Sequence, residues 1–113
     1  MNVSSYSFGT IVIEGKKYTA DVIIYPDHVD PSWWRKEGHR LQSSDLADIL
    51  ALRPDILIIG TGKFGMMTVP EETTAFVASK NIETRVMKTS RAVELYNSLQ
   101  NTRLVIAALH LTC

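Results

Sequence analysis

Three short segments bring together side chains that can do chemistry. Gly60-Thr61-Gly62-Lys63-Phe64-Gly65 has the G-x-G-x-x-G spacing of a dinucleotide-binding turn, in which glycines let the backbone approach a pyrophosphate and free amides at a helix start receive it. Lys88-Thr89-Ser90-Arg91 sets two cations around two hydroxyls, and His110-Leu111-Thr112-Cys113 offers an imidazole, a hydroxyl and a thiol. If all three stand at the ends of parallel strands they share one edge, the edge at which open α/β sheets bind ligands. The chemistry expected there is capture of a small anion by Gly60, Thr61, Gly62, Lys63, Thr89, Ser90, Arg91 and His110.

The elements needed to position these residues are legible from periodicity. Phe8 to Ile13 and the alternating run Lys17 to Tyr25 read as a hairpin across Glu14-Gly15-Lys16, since glycine takes the positive φ of a tight turn. Ser43 or Ser44 is the expected cap of a helix with Leu46, Ile49 and Leu50 on one face, stopping near Pro54. Ile56 to Ile59 is a wholly apolar run of the kind covered on both faces of a sheet. Thr68-Val69-Pro70-Glu71 fits a capping box, and the helix it opens ends near Lys80 with Asn81 as a left-handed stop. Ile82 to Met87 is the next strand, Thr89 or Ser90 opens a third helix with Ala92, Leu95, Tyr96 and Leu99 on one face, and Arg103 to Leu111 is the last strand. The expected architecture is one compact α/β domain over residues 1–113. An N-terminal antiparallel hairpin joins a mixed sheet whose C-terminal part is βαβαβ with helices packed on it.

This placement decides against several chemistries. In a dinucleotide fingerprint the helix starts within the glycines, whereas here its cap is expected at Thr68 and its first turn carries Glu71 and Glu72, which repel a diphosphate. Met66 stands where a Walker A motif requires lysine. His110 and Cys113, three apart on a strand, point to opposite faces and cannot form a local thiolate pair. His28, His39, His110 and Cys113 have no metal-ligand spacing. No catalytic residue, metal or cofactor is expected.

Composition sets the outer bounds. The 113 residues carry 12 Lys plus Arg against 12 Asp plus Glu, and 45% are hydrophobic. A chain of 12.7 kDa buries about two-thirds of its unfolded surface and needs no staple. Zero net charge disfavours nucleic-acid binding through bulk electrostatics. The longest apolar run, Leu104 to Leu109, is six residues, against the roughly 20 that span a bilayer as a helix, so no membrane partner is expected. With one cysteine and no leader features in Met1 to Tyr6, the expected compartment is the cytoplasm.

Between the hairpin and the first helix lies a connection long for so small a domain. Its Trp33-Trp34-Arg35-Lys36-Glu37-Gly38-His39-Arg40 segment combines residue types enriched at binding hot spots. Trp33, Trp34 and Arg35 are the candidate partner-binding residues, for a protein partner or a second copy. The alternative is a tryptophan that roofs the core beneath the loop.

Across the whole chain, Trp33 to His39, Pro54 to Gly62, Val69-Pro70-Glu71, Ala92 to Asn97 and Ala107 to Cys113 resemble a small α/β domain family of unknown function. It includes the adipogenesis-associated domain protein and the mitochondrial complex I assembly factor 3. The resemblance implies a mixed sheet, no established catalytic activity and roles exercised through partners. The expected function is a small cytoplasmic interaction or assembly module with a small-anion pocket at the strand ends. The rival is an enzyme on a small anionic substrate, binding through Lys63 and Arg91 with His110 as acid or base.

Overall fold

The computed structural model describes all of residues 1–113. Two sheets form. Strands β1 (Val3–Ser7), β2 (Thr10–Ile13) and β3 (Lys16–Tyr18) make an antiparallel meander. Ile13 pairs with Lys16 across Glu14-Gly15, and both turn residues have positive φ, 49° and 79°, the two-residue turn that matches strand twist. The larger sheet uses β4 (Val22–Ile24), β5 (Val29–Asp30), β6 (Ile56–Thr61), β7 (Glu83–Met87) and β8 (Val105–His110) in the order β5-β4-β8-β6-β7. β6 is parallel to both β7 and β8, while β4 is antiparallel to β8 and to β5.

The expected mixed sheet with a βαβαβ half is present, with two corrections to its N-terminal part. β1 adds a strand ahead of the hairpin. The single strand expected over Lys17 to Tyr25 is two strands in different sheets, because the chain leaves the meander after Tyr18 and Asp21 turns its carboxylate to β8 and the following loop. Beyond Asp21 the alternation ends, and Val22 to Tyr25 are all buried.

Side-chain parity sorts the core into two layers. Ile56, Ile58, Ala107, Leu109, Val22 and Ile24 face Ile11 and Ile13 of the meander and Ala92, Val93 and Tyr96 of helix α3 (Thr89–Leu99). Their neighbours Leu57, Ile59, Ile106, Ala108 and Ile23 face Leu46 and Ile49, Val77 of helix α2 (Glu71–Ala78), and Trp33, Leu41 and Met67 of the loops. A strand buried on both faces has to be apolar at every position, and β6 and β8 are so through their central residues. The side chain of Asn97 on α3 accepts from Val3 N–H at 3.0 Å and donates to the Val3 carbonyl at 2.7 Å, covering part of the β1 edge. The exposed surface is 5948 Å², near the roughly 6,200 Å² expected for this mass. No helix is long and apolar enough to cross a membrane.

Two helix starts differ from expectation. Ser43–Leu46 is a 3₁₀ turn leading into α1 (Ala47–Ala51), and its cap is Gln42, whose N–H donates to Asp45 Oδ2 at 2.9 Å. Helix α2 is capped at Pro70. Thr68 is instead drawn into a parallel bridge with the tryptophan-bearing loop: its N–H donates to the His39 carbonyl at 2.7 Å, and its carbonyl accepts Leu41 N–H at 2.9 Å. Asn81 has φ 62°, the left-handed stop expected after α2.

Candidate functional site

The parallel strands deliver Thr61, Met87 and His110 to one edge, and hydrogen bonds within the chain close it. Thr89 Oγ1 accepts Gly62 N–H at 2.8 Å and donates to the His110 carbonyl at 2.6 Å. Thr61 Oγ1 donates to the Met87 carbonyl at 3.1 Å. The amides of Lys63 and Met66 donate to the carbonyls of Thr112 and Cys113, at 2.7 and 2.9 Å. A Cβ on Gly62, whose φ is +107°, would stand 2.4 Å from the Cys113 carbonyl carbon and 2.8 Å from His110 Cδ2. The glycine is needed so that the tail can lie across the turn.

Of the eight residues expected at a ligand edge, Gly60, Thr61, Gly62, Thr89 and His110 are together, whereas the cations Lys63 and Arg91 turn outward. Lys63 Nζ lies 5.7 Å from the Tyr6 ring centre, and Arg91 Nε lies 3.8 Å from Glu94 Oε2. Neither cation is hydrogen-bonded to the imidazole, and Ser90 takes no part in the hydrogen bonds that close the edge. Five surface depressions of about 310 to 520 Å³ include none of Gly60, Thr61, Gly62, Lys63 or His110 in their walls.

His110 turns instead toward the tryptophan loop, where a buried ionic cluster joins it to Asp21 and Arg35. Asp21 Oδ2 lies 2.8 Å from His110 Nδ1 and 2.8 Å from Arg35 Nη2, and Oδ1 accepts the Leu111 N–H at 2.8 Å. Burial by itself would raise the Asp21 carboxyl, but hydrogen bonds from His110, Leu111 and Arg35 outweigh it and hold the group at about 2. An ionised carboxylate only accepts, so Nδ1 is the donor in this contact. The 3.2 Å approach of Arg35 Nη2 to Nδ1 is therefore two donors converging on one oxygen.

Arg35 is held through Nε, Nη2 and its flat face. Its Nη2 and Nε donate to the Gly38 carbonyl at 2.8 and 3.2 Å, and its guanidinium carbon lies 4.4 Å from the Trp33 ring centre. The Asp21 carbonyl in turn accepts Trp33 N–H at 2.8 Å. Arg35 and His110 side chains are only 4% and 5% exposed. Three of the four buried polar atoms without a partner belong here: Trp33 Nε1, Arg35 Nη1 and His110 Nε2. The exposed His39 sets its ring edge-on to His110, with centres 5.4 Å apart.

The candidate partner-binding residues thus separate. Trp33, 7% exposed, roofs the core and carries Arg35, whereas Trp34, between them, is 76% exposed. Asp21 escaped sequence reasoning because it sat on the polar parity of a presumed strand. The signal present was an aspartate, poorly suited to strands, directly before the unbroken apolar run Val22-Ile23-Ile24. A second surface feature also went unread: Phe8 and Phe64, both exposed, bring their ring centres within 6.0 Å, and Met66 nearby in the chain is exposed too.

Fold and site together define a small α/β domain with its strand ends sealed and a tryptophan loop locked on by a buried ionic cluster. The chain belongs to the family described as a protein of unknown function (DUF498/DUF598), which matches residues 3–110. It is similar to the conserved hypothetical protein PH1505 of Pyrococcus horikoshii OT3, at 27% identity and a TM-score of 0.86, with 100% of each chain covered. It is also similar to the protein MT938, at 26% identity and a TM-score of 0.83 over 99% of this chain and 98% of that one. A Bordetella pertussis protein described as a Mth938-like domain shares the fold at 20% identity and a TM-score of 0.78, with 97% of this chain and 85% of that one covered. The family is the one to which the whole-chain resemblance pointed.

Proposed function

We propose that the chain is an interaction module that engages a protein partner through the loop around Trp34. The observation that carries this reading is the contrast between neighbours. Trp33 and Arg35 are buried and bonded into the core, and the residue between them is a tryptophan 76% exposed. A large aromatic presented on a fixed backbone loses little freedom on binding, which favours it as an anchor. A photo-crosslinking amino acid at position 34 tests the reading in cells of the source organism. The expected result is one discrete protein adduct, absent when the same group stands at exposed Glu94; adducts of equal pattern from both positions would overturn it.

A second reading, an enzyme on a small anionic substrate, draws support from the carboxylate-oriented imidazole of His110 with its unpartnered Nε2. Against it stand the burial of that ring and the lack of a hydrogen bond to it from Lys63 or Arg91. The module reading accommodates both observations, since a buried cluster that fixes a binding loop has no need of solvent access.

A further inference from the structure

The groove beside Trp34 has a charge that the neutral chain as a whole does not share. It is an open depression of about 310 Å³ walled by Trp33, Trp34, Tyr25 and three carboxylates, Asp30, Asp45 and Asp48, with no Lys, Arg or His among its lining residues. Asp45 is already committed, accepting the N–H groups of Lys36 at 3.1 Å and Gln42 at 2.9 Å. Asp30 accepts the Ser32 N–H at 3.0 Å, and neither it nor Asp48 is in an ion pair. Tyr25 lines the same groove, and its hydroxyl is pushed up by burial first and then by the negative charges of Asp48 and Asp30.

A second open depression shares Tyr25, Asp30 and Asp48 and continues along Val29, Pro31, Ala51 and Leu52, with His28 at its side. His28 is occupied, stacked 4.6 Å from the Tyr25 ring centre and 2.6 Å from Asp27. The two unpaired acids therefore stand where an aromatic groove meets an apolar one. We propose that this double groove docks an arginine- or lysine-bearing segment of a partner protein, with the cation between Trp34 and the Asp30–Asp48 pair and a neighbouring apolar residue over Leu52. The inference rests on the interaction reading and names the chemistry of the partner.

Three complementarities support that occupant. An aromatic face attracts a cation through its quadrupole, and Trp does so best. Two unpaired carboxylates supply acceptors, which a planar guanidinium uses with fixed geometry. The apolar arm is surplus to a lone ion but suits a side chain next to the cation. The 3₁₀ turn and the cluster at Asp21 hold the walls, so little ordering is needed on binding.

An NMR titration of the full chain with blocked Leu-Arg-Leu tests the proposal against its citrulline counterpart, which has the same shape and no charge. The expected result is saturable movement of the Trp34 indole and Asp48 amide signals with the arginine peptide. Binding should be about tenfold weaker for the citrulline peptide, weaker by a similar factor in the Asp30→Asn/Asp48→Asn variant, and weaker with added salt. Equal affinity for the two peptides, an unchanged affinity in the variant, or no movement at millimolar peptide would overturn it. Spermidine binding as tightly as the peptide would replace the protein segment by a small free cation. Asparagine keeps the shape of both side chains, and thermal unfolding of the variant checks its fold. If the peptide fails while a Trp34-dependent complex survives in the double variant, the groove inference alone falls; if Trp34→Ala leaves the complex intact, the interaction reading falls.

Discussion

Asp21 and His110 are separated by almost the whole chain, and their side chains meet at 2.8 Å between Oδ2 and Nδ1. The contact closes the domain on itself. Asp21 stands just before β4, His110 ends β8, and the same carboxylate oxygen holds Arg35 of the intervening loop at 2.8 Å.

Removing that carboxylate leaves the Arg35 guanidinium buried without its counterion. Asp21→Ala should therefore destabilise the chain by about 3 kcal/mol or more, against about 1 kcal/mol for an exposed pair. Arg40→Ala, which removes an exposed contact to Glu72, is the control. Urea denaturation of the two variants checks the contrast, and comparable losses would show the cluster to be energetically unimportant.

The same cluster gives a pH dependence with a definite sign. Asp21 is lowered from 3.8 to about 2 on folding, so its contribution is fully present above pH 3.8 and is lost as pH falls through 2. That difference corresponds to about 2 kcal/mol. Asp21→Asn should flatten the slope of stability against pH between about 4 and 2, as followed by urea midpoints at each pH.

At the alkaline end the buried Tyr96 acts in the opposite direction. Its hydroxyl is raised from 10.0 to about 12, by burial first and then by Glu14. Its contribution is fully present below pH 10 and is lost as pH rises through 12. Tyr96→Phe should remove that part of the alkaline loss, measured by circular dichroism at a series of pH values.

Gly62 is the position where a single methyl group meets backbone. A Cβ there would approach the Cys113 carbonyl carbon to 2.4 Å at a φ of +107°. Gly62→Ala should cost about 2 kcal/mol or more, because both the clash and the left-handed strain must be relieved. Gly38→Ala, with open space around its Cβ, should stay within about 0.5 kcal/mol. Thermal unfolding of both variants tests the ranking.

The two adjacent tryptophans should part company in the same way. Trp33→Ala empties a buried site and should destabilise by about 3 kcal/mol, while Trp34→Ala should leave stability within about 0.5 kcal/mol and act on binding. Equal effects of the two on unfolding would contradict the division of labour drawn for this loop.

What could be read in advance follows the range of the interactions. The strand Ile56 to Ile59, the third helix and the Asn81 stop depend on neighbours within a few residues, and each lies where periodicity and capping chemistry place it. β1 was missed because Val3-Ser4-Ser5-Tyr6-Ser7 is polar, and its pairing depends on β2 and Asn97. Thr68 looked like a cap because its sequence neighbours suit one, yet its backbone is claimed by His39 and Leu41. Asp21 was out of reach for the same reason: its three side-chain partners lie 14 to 90 residues away. For the candidate site, sequence brought out the tryptophan loop and the imidazole but not the carboxylate that ties them together.

Native mass spectrometry of gently purified wild-type, Trp34→Ala and His110→Ala protein tests the interaction reading most directly. The wild-type chain is expected to retain a protein subunit that Trp34→Ala loses. A wild-type chain carrying instead a stoichiometric small molecule, kept by Trp34→Ala and lost by His110→Ala, would contradict that reading in favour of an enzyme or ligand site at His110.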